Sequence, residues 1–204
     1  MIVHDVDQNT GDWLHLRAGK PTASCFSKLI TSTGGASKSM LAYAEQLGGE
    51  LFAGKPLDAW EGNMYTERGH EVEPEAVLAY EMMKGLDTQG VGFVTDDAAL
   101  YGCSPDRFVG DDGLLEIKCL PKKHIEAIRY MQKNGKIPPA YVQQVQGQML
   151  IAERQWCDLM FYHADLPIKI FRCKPDQKII DGLKAQLLSC IAERDAVFKE
   201  LEAM

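Results

Sequence analysis

Two carboxylates and a lysine are spaced so that a single β-hairpin could bring them together. Nine residues separate Asp106 from Glu116, and Lys118 follows two positions later. Because side chains alternate along a strand, Glu116 and Lys118 share one face while Ile117 points to the other. The Asp-Asp-Gly sequence at 111–113 is typical of a hairpin turn. We therefore expect Asp106 to lie beside Glu116.

Two such carboxylates predict a divalent cation between them. Close carboxylates repel each other unless a cation separates them, and oxygen ligands favour Mg²⁺, with Mn²⁺ as a substitute. The main-chain carbonyl of Ile117 would add an oxygen ligand, and Lys118 would orient or activate a water and offset phosphate charge. The alternative is a surface hairpin that carries an ordinary glutamate and lysine. The pattern alone does not decide between the two.

Polar residues on two other helices favour the catalytic interpretation. Glu73, with either His70 or Glu71, could face the edge of the sheet and add a ligand; otherwise these residues form a solvated acidic face. Gln144 and Gln148 lie four positions apart, so they share one face of a later helix. An amide side chain can hold a water or a phosphate oxygen without competing for the metal.

The elements that must position these residues follow from hydrophobic periodicity. The predicted order along the chain is helices, strands, two helices, two strands and a final helix. This order predicts an α/β fold around one mixed sheet. We expect one domain, 1–204, with a helical N-terminal portion (1–60), a catalytic core (61–175) and a C-terminal helix (176–204). The predicted helices cover 12–17, a segment starting at Thr22 or Ser24, 39–52, 63–83, 121–133, 141–154 and 176–201, and the predicted strands cover 91–95, 100–103, 107–109, 114–119, 156–163 and 168–173.

Composition excludes several classes of protein. The 204 residues carry a net charge of −7, with 25% charged and 46% hydrophobic residues, which excludes a disordered tail, a collagen-like chain and a basic histone-like binder. No apolar run approaches about 18 residues, so we expect no transmembrane helix, and the first residues do not resemble a secretion signal. Six scattered cysteines without CxxC spacing predict reduced, mostly buried thiols in a cytoplasmic protein.

Charge is unevenly distributed along the chain. Residues 58–97 contain ten acidic and two basic side chains, whereas residues 118–136 contain six basic and one acidic side chain. An acidic cluster beside a basic stretch suits a cation-assisted reaction on a polyanion. The alternative is two solvated helix faces of opposite sign.

Four sequence blocks, in order along the chain, carry a more specific signal. They are WLHLRAG with TAS at 13–19 and 22–24, GHEVEPEA at 69–76, CSPD with EIKC at 103–106 and 116–119, and YVQQVQGQM at 141–149. Together they resemble the lambda exonuclease (YqaJ-type viral recombinase) family of the PD-(D/E)xK nuclease superfamily. The resemblance implies a restriction-endonuclease-like domain with a central mixed sheet flanked by helices.

The resemblance also implies roles for the predicted hairpin that carries Asp106 and Glu116, called here the acidic hairpin, and for its neighbours. Asp106 and Glu116 would hold the metal, and Glu73 would be an additional acidic ligand. Lys118 would be the catalytic lysine. Gln144 would assist at the scissile phosphate or its water.

A second group of residues matches family positions that bind the phosphate at the 5′ end of the degraded strand. These residues are Arg17, Ser24 and Ser104. A guanidinium and two hydroxyls suit a terminal phosphate. Related nucleases also place a metal-ligating histidine in the helix that carries His70.

The activity implied by the resemblance is a Mg²⁺-dependent 5′-to-3′ exonuclease on linear double-stranded DNA that releases mononucleotides and leaves a 3′ overhang. The implied assembly is a homotrimeric ring whose channel carries Lys38, Lys122, Lys123 and Arg129, with a single-strand annealing protein as partner. It would act in phage recombination in the bacterial cytoplasm. The alternatives are an endonuclease of the same superfamily and a non-catalytic DNA-end-binding scaffold. The terminal-phosphate residues favour an exonuclease, and the intact acidic hairpin favours an enzyme.

Overall fold

A computed structural model describes residues 1–57, 64–119 and 121–204, without the side chains of residues 64–71 and 122. Within this part of the chain the α-helices are α1 (Gly11–Arg17), α2 (Met40–Ala53), α3 (Met64–Lys84), α4 (Pro121–Asn134), α5 (Pro139–Ile151) and α6 (Gln177–Glu202), and a 3₁₀ helix covers Ala23–Lys28. The strands are β1 (Ile2–His4), β2 (Thr88–Gly90), β3 (Phe93–Thr95), β4 (Gly102–Cys103), β5 (Arg107–Val109), β6 (Gly113–Lys118), β7 (Trp156–Phe161) and β8 (Lys169–Cys173). The α-helices begin and end within three residues of their predicted bounds.

The acidic hairpin lies within the central sheet, and its second strand, β6, is the middle strand. Its strand order is β2-β5-β6-β7-β8, with β6 and β7 parallel and the other neighbours antiparallel. The link from β6 to β7 passes through α4 and α5, because parallel strands need a crossover connection. The predicted mixed sheet flanked by helices is therefore confirmed. Glu116 and Lys118 lie on a strand that is paired on both sides.

A second, smaller sheet departs from the expectation of one sheet. It has the order β1-β3-β4 and is antiparallel, so the strand predicted at 91–95 pairs with β1 at the N-terminus, the strand predicted at 100–103 pairs with β3, and neither joins the central sheet. The sequence prediction lacks β1 and β2, which are short edge strands. Both are largely exposed, so neither forms part of a buried apolar run. The first 60 residues are thus not purely helical, and the boundary expected at residue 60 lies outside the described residues.

Helices cover both faces of the central sheet. On one face, α5 and the 3₁₀ helix belong to the core that contains Leu114 and Leu159. On the other face, α3 packs over Leu115 and Met160. α2 and α6 pack against each other and extend the first of these cores. Of the helices in the described ranges, none has the length and apolar character needed to cross a membrane.

The approach of α5 to the 3₁₀ helix depends on a glycine. A Cβ added at Gly147 would lie 2.4 Å from Cδ2 of Phe26. The Phe26 ring is fully buried and has no room to move away. The missing side chain therefore lets α5 lie close to the core, with its glutamines over β6.

We expect Gly147→Ala to lower the free energy of unfolding by about 1–2 kcal/mol, because overpacking of the Phe26 ring that costs about 2–3 kcal/mol outweighs the roughly 1 kcal/mol that alanine adds in a helix. Gly11→Ala is the matched control, since nothing lies within 4 Å of the Cβ that it adds. The control should leave stability unchanged or slightly higher. Denaturant unfolding measures both variants, and equal stability of the two would contradict this packing.

Candidate active site

Glu116 is a buried carboxylate that accepts three hydrogen bonds. Its side chain is on the face of β6 that α5 covers, and the residue is 3% exposed. Oε1 accepts from Lys118 Nζ and from Gln144 Nε2, each at 2.6 Å, and Oε2 accepts from Gln148 Nε2 at 2.6 Å. The ammonium and the two amides offset the cost of burying the charge.

Lys118 is held as a cation beside this carboxylate. Burial lowers its pKa, but the nearby carboxylates of Glu116 and Asp106 outweigh burial, and the net pKa of Lys118 is raised. The ammonium also lies 5.7 Å from the centre of the Tyr141 ring on α5. Lys118 therefore offers a fixed positive charge and N–H donors, which suits the binding of a phosphate oxygen.

Asp106 lies one residue before β5, where the hairpin brings it next to Glu116. The register pairs Arg107 with Leu115, so Asp106 falls beside the next residue of β6. Its Oδ2 accepts a hydrogen bond from the Ile117 N–H at 2.5 Å. Burial, followed by the charges of Glu116 and Glu73, raises the pKa of Asp106 well above its usual range. The sequence expectation that Asp106 and Glu116 lie side by side matches this geometry.

The oxygen atoms around Asp106 suit a hard divalent cation. The Ile117 carbonyl lies on the same edge of β6 as its N–H, because both groups of a strand residue point the same way. Glu73 on α3 is close enough for its charge to act on Asp106. The side chain of His70, which was predicted as a metal ligand, lies outside the described residues. In the described part of the chain, no three His, Cys, Asp or Glu side chains form a ready-made metal site.

Two buried thiols flank the acidic site. Cys103 on β4 and Cys157 on β7 are both buried. Burial and the charge of Glu116 raise the pKa of both thiols. Neither cysteine is in a disulfide, which agrees with the predicted reduced state.

A second polar cluster surrounds Arg17 at the end of α1. Nη2 of Arg17 donates to Oγ1 of Thr22 at 3.3 Å and to Oγ of Ser24 at 3.4 Å. The guanidinium lies 4.0 Å from the centre of the Trp13 ring. Burial lowers the pKa of Arg17, and no carboxylate among the described residues lies within ion-pair distance. The guanidinium is thus poorly solvated and available to an anion.

Ser104 joins this cluster through Trp13. The indole N–H of Trp13 donates to Oγ of Ser104 at 2.9 Å. Ser104 is separated from Asp106 only by Pro105, so the Arg17 cluster and the acidic hairpin share one short segment. The charges of both Arg17 and Glu116 act on Cys103 between them. The two predicted groups of site residues therefore lie next to each other.

Three residues of these clusters were not assigned a role from the sequence. Gln148 binds the second oxygen of Glu116, and its spacing from Gln144 is the signal that could have identified it. Trp13 precedes Arg17 by four positions in α1, and this helical spacing predicts their contact. No spacing rule predicts the hydrogen bond of Trp13 to Ser104 or that of Arg17 to Thr22.

Exposed basic residues lead away from the acidic site along α4. This helix begins three residues after Lys118. The exposed cations on α4 and directly after it are Lys123, Arg129, Lys133 and Lys136. Lys38, on the loop before α2, is also exposed. The side chain of Lys122 lies outside the described residues.

Comparison with known proteins gives one family match. The model of the YqaJ-like viral recombinase domain matches residues 12–155, a range that includes both polar clusters. No curated protein sequence matches the chain.

Solved structures provide further similarities. An alkaline exonuclease (LHK-Exo) from Laribacter hongkongensis shares 32% sequence identity over 95% of this chain and 97% of its own, with a TM-score of 0.82. A structure of LHK-Exo in complex with dAMP gives a TM-score of 0.81 at the same identity and coverage. A phage-related exonuclease from Haemophilus somnus 129PT has the same fold, with 19% identity, 89% and 96% coverage and a TM-score of 0.69.

Asp106→Asn should raise the free energy of unfolding in EDTA at pH 8, because burial and the neighbouring carboxylates oppose the charge of this side chain in the folded protein. Because the folded pKa of Asp106 is raised, its carboxyl favours folding only below its unfolded pKa, near about 4, and this contribution is lost as the pH rises. The gain should therefore shrink toward pH 4. Asparagine still accepts from the Ile117 N–H. Chemical unfolding at both pH values measures the effect.

Asp111→Asn is the matched control. Asp111 is an exposed residue of the same hairpin turn, so its change should stay within about 0.5 kcal/mol at either pH. A loss of stability in Asp106→Asn at pH 8 would contradict the proposed repulsion among the carboxylates.

Proposed function

This chain belongs to the YqaJ-like viral recombinase domain family, and on that premise we propose that it is an exonuclease that degrades one strand of linear double-stranded DNA from the 5′ end. The family predicted from the four sequence blocks is thereby confirmed. Family membership and the similarity to an alkaline exonuclease support a nuclease that acts in recombination. The direction of degradation, the mononucleotide product and the 3′ overhang are our proposal.

The observation that carries this proposal is the short separation between the Arg17 cluster and the acidic hairpin. Ser104 contacts Trp13 and lies two residues before Asp106. An enzyme that removes one terminal nucleotide must hold the end of the strand and cut the next phosphodiester. A pocket made by Arg17, Ser24 and Ser104 would hold a terminal phosphate through charge-assisted hydrogen bonds. An endonuclease has no use for such a pocket.

Asp106 and Glu116 would hold a Mg²⁺ ion, with the Ile117 carbonyl and Glu73 as further oxygen ligands. Their donor set fits, because carboxylate and carbonyl oxygens are the ligands that hard cations prefer. A bound Mg²⁺ would polarise the scissile phosphate and acidify a water. Lys118, kept charged by its neighbours, would hold a phosphate oxygen. Mn²⁺ should substitute.

Gln144 and Gln148 would keep Glu116 oriented during the reaction. Both amides donate to the Glu116 carboxylate, and both lie on α5, which packs against the core through Gly147. We propose that Gln144 also assists at the scissile phosphate or its water. An uncharged amide can do so without competing for the metal.

The duplex would be bound by the exposed cations of α4 and by Lys38, in the channel of a homotrimer. A chain with a net charge of −7 binds a polyanion best through a local basic surface. The LHK-Exo structure with dAMP agrees with a mononucleotide product. We further propose that the protein is encoded by a phage or prophage, acts in the bacterial cytoplasm and works beside a single-strand annealing protein.

Mg²⁺-dependent release of nucleotides from linear duplex DNA tests the reaction. EDTA should abolish release, and Asp106→Asn should reduce it by at least about 100-fold, because several kcal/mol of charge stabilisation would be lost. Asp111→Asn should keep full activity. Cleavage of covalently closed circular DNA would favour an endonuclease. Binding of duplex ends without cleavage in any divalent cation would favour a scaffold.

Arg17→Ala should reduce the preference for a 5′-phosphate over a 5′-hydroxyl end by about tenfold or more, since charge-assisted bonds contribute about 1.5–3 kcal/mol each. Residual cleavage should persist because the acidic hairpin is intact. The ratio of kcat/KM for the two ends measures the preference. Lys184→Ala, which removes an exposed cation on α6, is the control. An unchanged preference in Arg17→Ala would remove the reason to assign 5′ specificity.

A further inference from the structure

Two buried charged residues have no part in the sites described above, and both bind the same glycine. Glu50 on α2 is 7% exposed and Arg194 on α6 is 5% exposed. Oε2 of Glu50 accepts from the Gly19 N–H at 3.1 Å, and Nη1 of Arg194 donates to the Gly19 carbonyl at 2.9 Å. A carboxylate and a guanidinium are thus used to hold the two polar groups of one backbone residue.

Gly19 occupies a position that only glycine fits. Its φ is +70°, and an added Cβ would lie 2.9 Å from Cβ of Leu51. The residue ends the turn after α1, two positions after Arg17 and three before Thr22. Its N–H and C=O lie outside the helices and strands, so they need other partners when buried. Glu50 and Arg194 are those partners.

Arg194 also reaches the segment that carries Ser104. The same Nη1 donates to the Leu100 carbonyl at 3.4 Å, and Leu100 lies two residues before β4. Arg194 therefore connects the turn after Arg17 with the chain that leads into Ser104. Its charge is paired with Asp195, whose Oδ1 accepts from Nε at 2.8 Å.

Further hydrogen bonds fix the turn to the same framework. Gly102 N–H donates to the Pro21 carbonyl at 3.0 Å, and Thr22 N–H donates to the Tyr43 hydroxyl at 3.3 Å. α2 and α6 meet closely at Gly48, where a Cβ would lie 2.7 Å from the Val197 side chain. The helix pair thereby brings Glu50 and Arg194 under the turn from two sides.

We infer that Glu50 and Arg194 are positioning residues for the terminal-phosphate pocket, and this rests on the proposed function. They set the turn at Gly19, and through it the position of Arg17 relative to Thr22 and Ser24, to which its guanidinium donates. Neither side chain is a ligand of the phosphate. Their loss should therefore reduce discrimination between DNA ends and leave general affinity for duplex DNA intact.

The test measures DNA binding in EDTA, so that cleavage does not contribute. Fluorescence anisotropy gives the Kd of a duplex with a 5′-phosphate and of the same duplex with a 5′-hydroxyl. Arg194→Met should reduce the ratio of the two Kd values by about fivefold or more, while the Kd of the 5′-hydroxyl duplex changes by less than about twofold. Arg194→Lys, which keeps a charge and a donor, should restore part of the ratio.

Tyr80→Phe controls for loss of stability alone. The Tyr80 hydroxyl donates to the buried carboxylate of Asp158 at 2.8 Å, on the α3 face of the central sheet. This variant should lower the melting temperature and leave the Kd ratio unchanged. If Arg194→Met does not fold, Glu50→Met decides the question, since it removes the acceptor of the Gly19 N–H and should also reduce the ratio.

The outcomes separate the two proposals. A wild-type protein that binds both ends equally would overturn the terminal-phosphate pocket and, with it, the positioning role. A preference that Arg17→Ala removes, but that the folded Arg194→Met or Glu50→Met variant keeps, would overturn the positioning role alone. A loss of stability in those variants with an unchanged Kd ratio would show that Glu50 and Arg194 only support the fold.

Discussion

A carboxylate buried in the middle of a sheet must be compensated, and the compensation of Glu116 determines much of this structure. One ammonium and two amides donate hydrogen bonds to it. Without them, the free energy of burying the charge would be large enough to destabilise the folded protein. Both amides come from α5, so this helix must lie directly over β6. Gly147 permits that approach by leaving room for the Phe26 ring. The packing of α5 and the chemistry of the acidic hairpin therefore depend on the same contact.

The acidic hairpin and the Arg17 cluster are joined by a short segment of the chain. Ser104 and Asp106 belong to one segment between β4 and β5, and Trp13 ties Ser104 to α1. The Arg17 cluster attracts an anion directly, whereas the carboxylates of the acidic hairpin can approach a phosphate only through a bound cation. In the proposed exonuclease, this short connection would set the distance from the strand end to the bond that is cut. Such preorganisation would reduce the entropy that must be lost when DNA binds.

The sequence predicts the hairpin well because its evidence is local: the alternation of side chains along a strand, the Asp-Asp-Gly turn and the short spacing between Asp106 and Glu116. The proximity of Ser104 to the Arg17 cluster is different, since the Trp13–Ser104 hydrogen bond joins a helix to a loop across distant parts of the chain, and only the family resemblance indicated it. Gln148 left a weak local signal through its helical spacing. Glu50 and Arg194 left none, because a charged residue on an amphipathic helix is normally exposed. Their burial follows from the close packing of α2 on α6, which composition does not reveal.

The protonated thiols beside Glu116 have a consequence for redox chemistry and metal choice. A thiolate, and not a thiol, reacts with peroxides and binds soft metals such as zinc. Because burial and the Glu116 carboxylate keep the pKa of Cys103 and Cys157 raised, both remain poor nucleophiles and poor ligands. Two buried, protonated thiols thus lie near the acidic hairpin: they react slowly with oxidants, and a soft metal would have to displace a proton from each sulfur before it could bind.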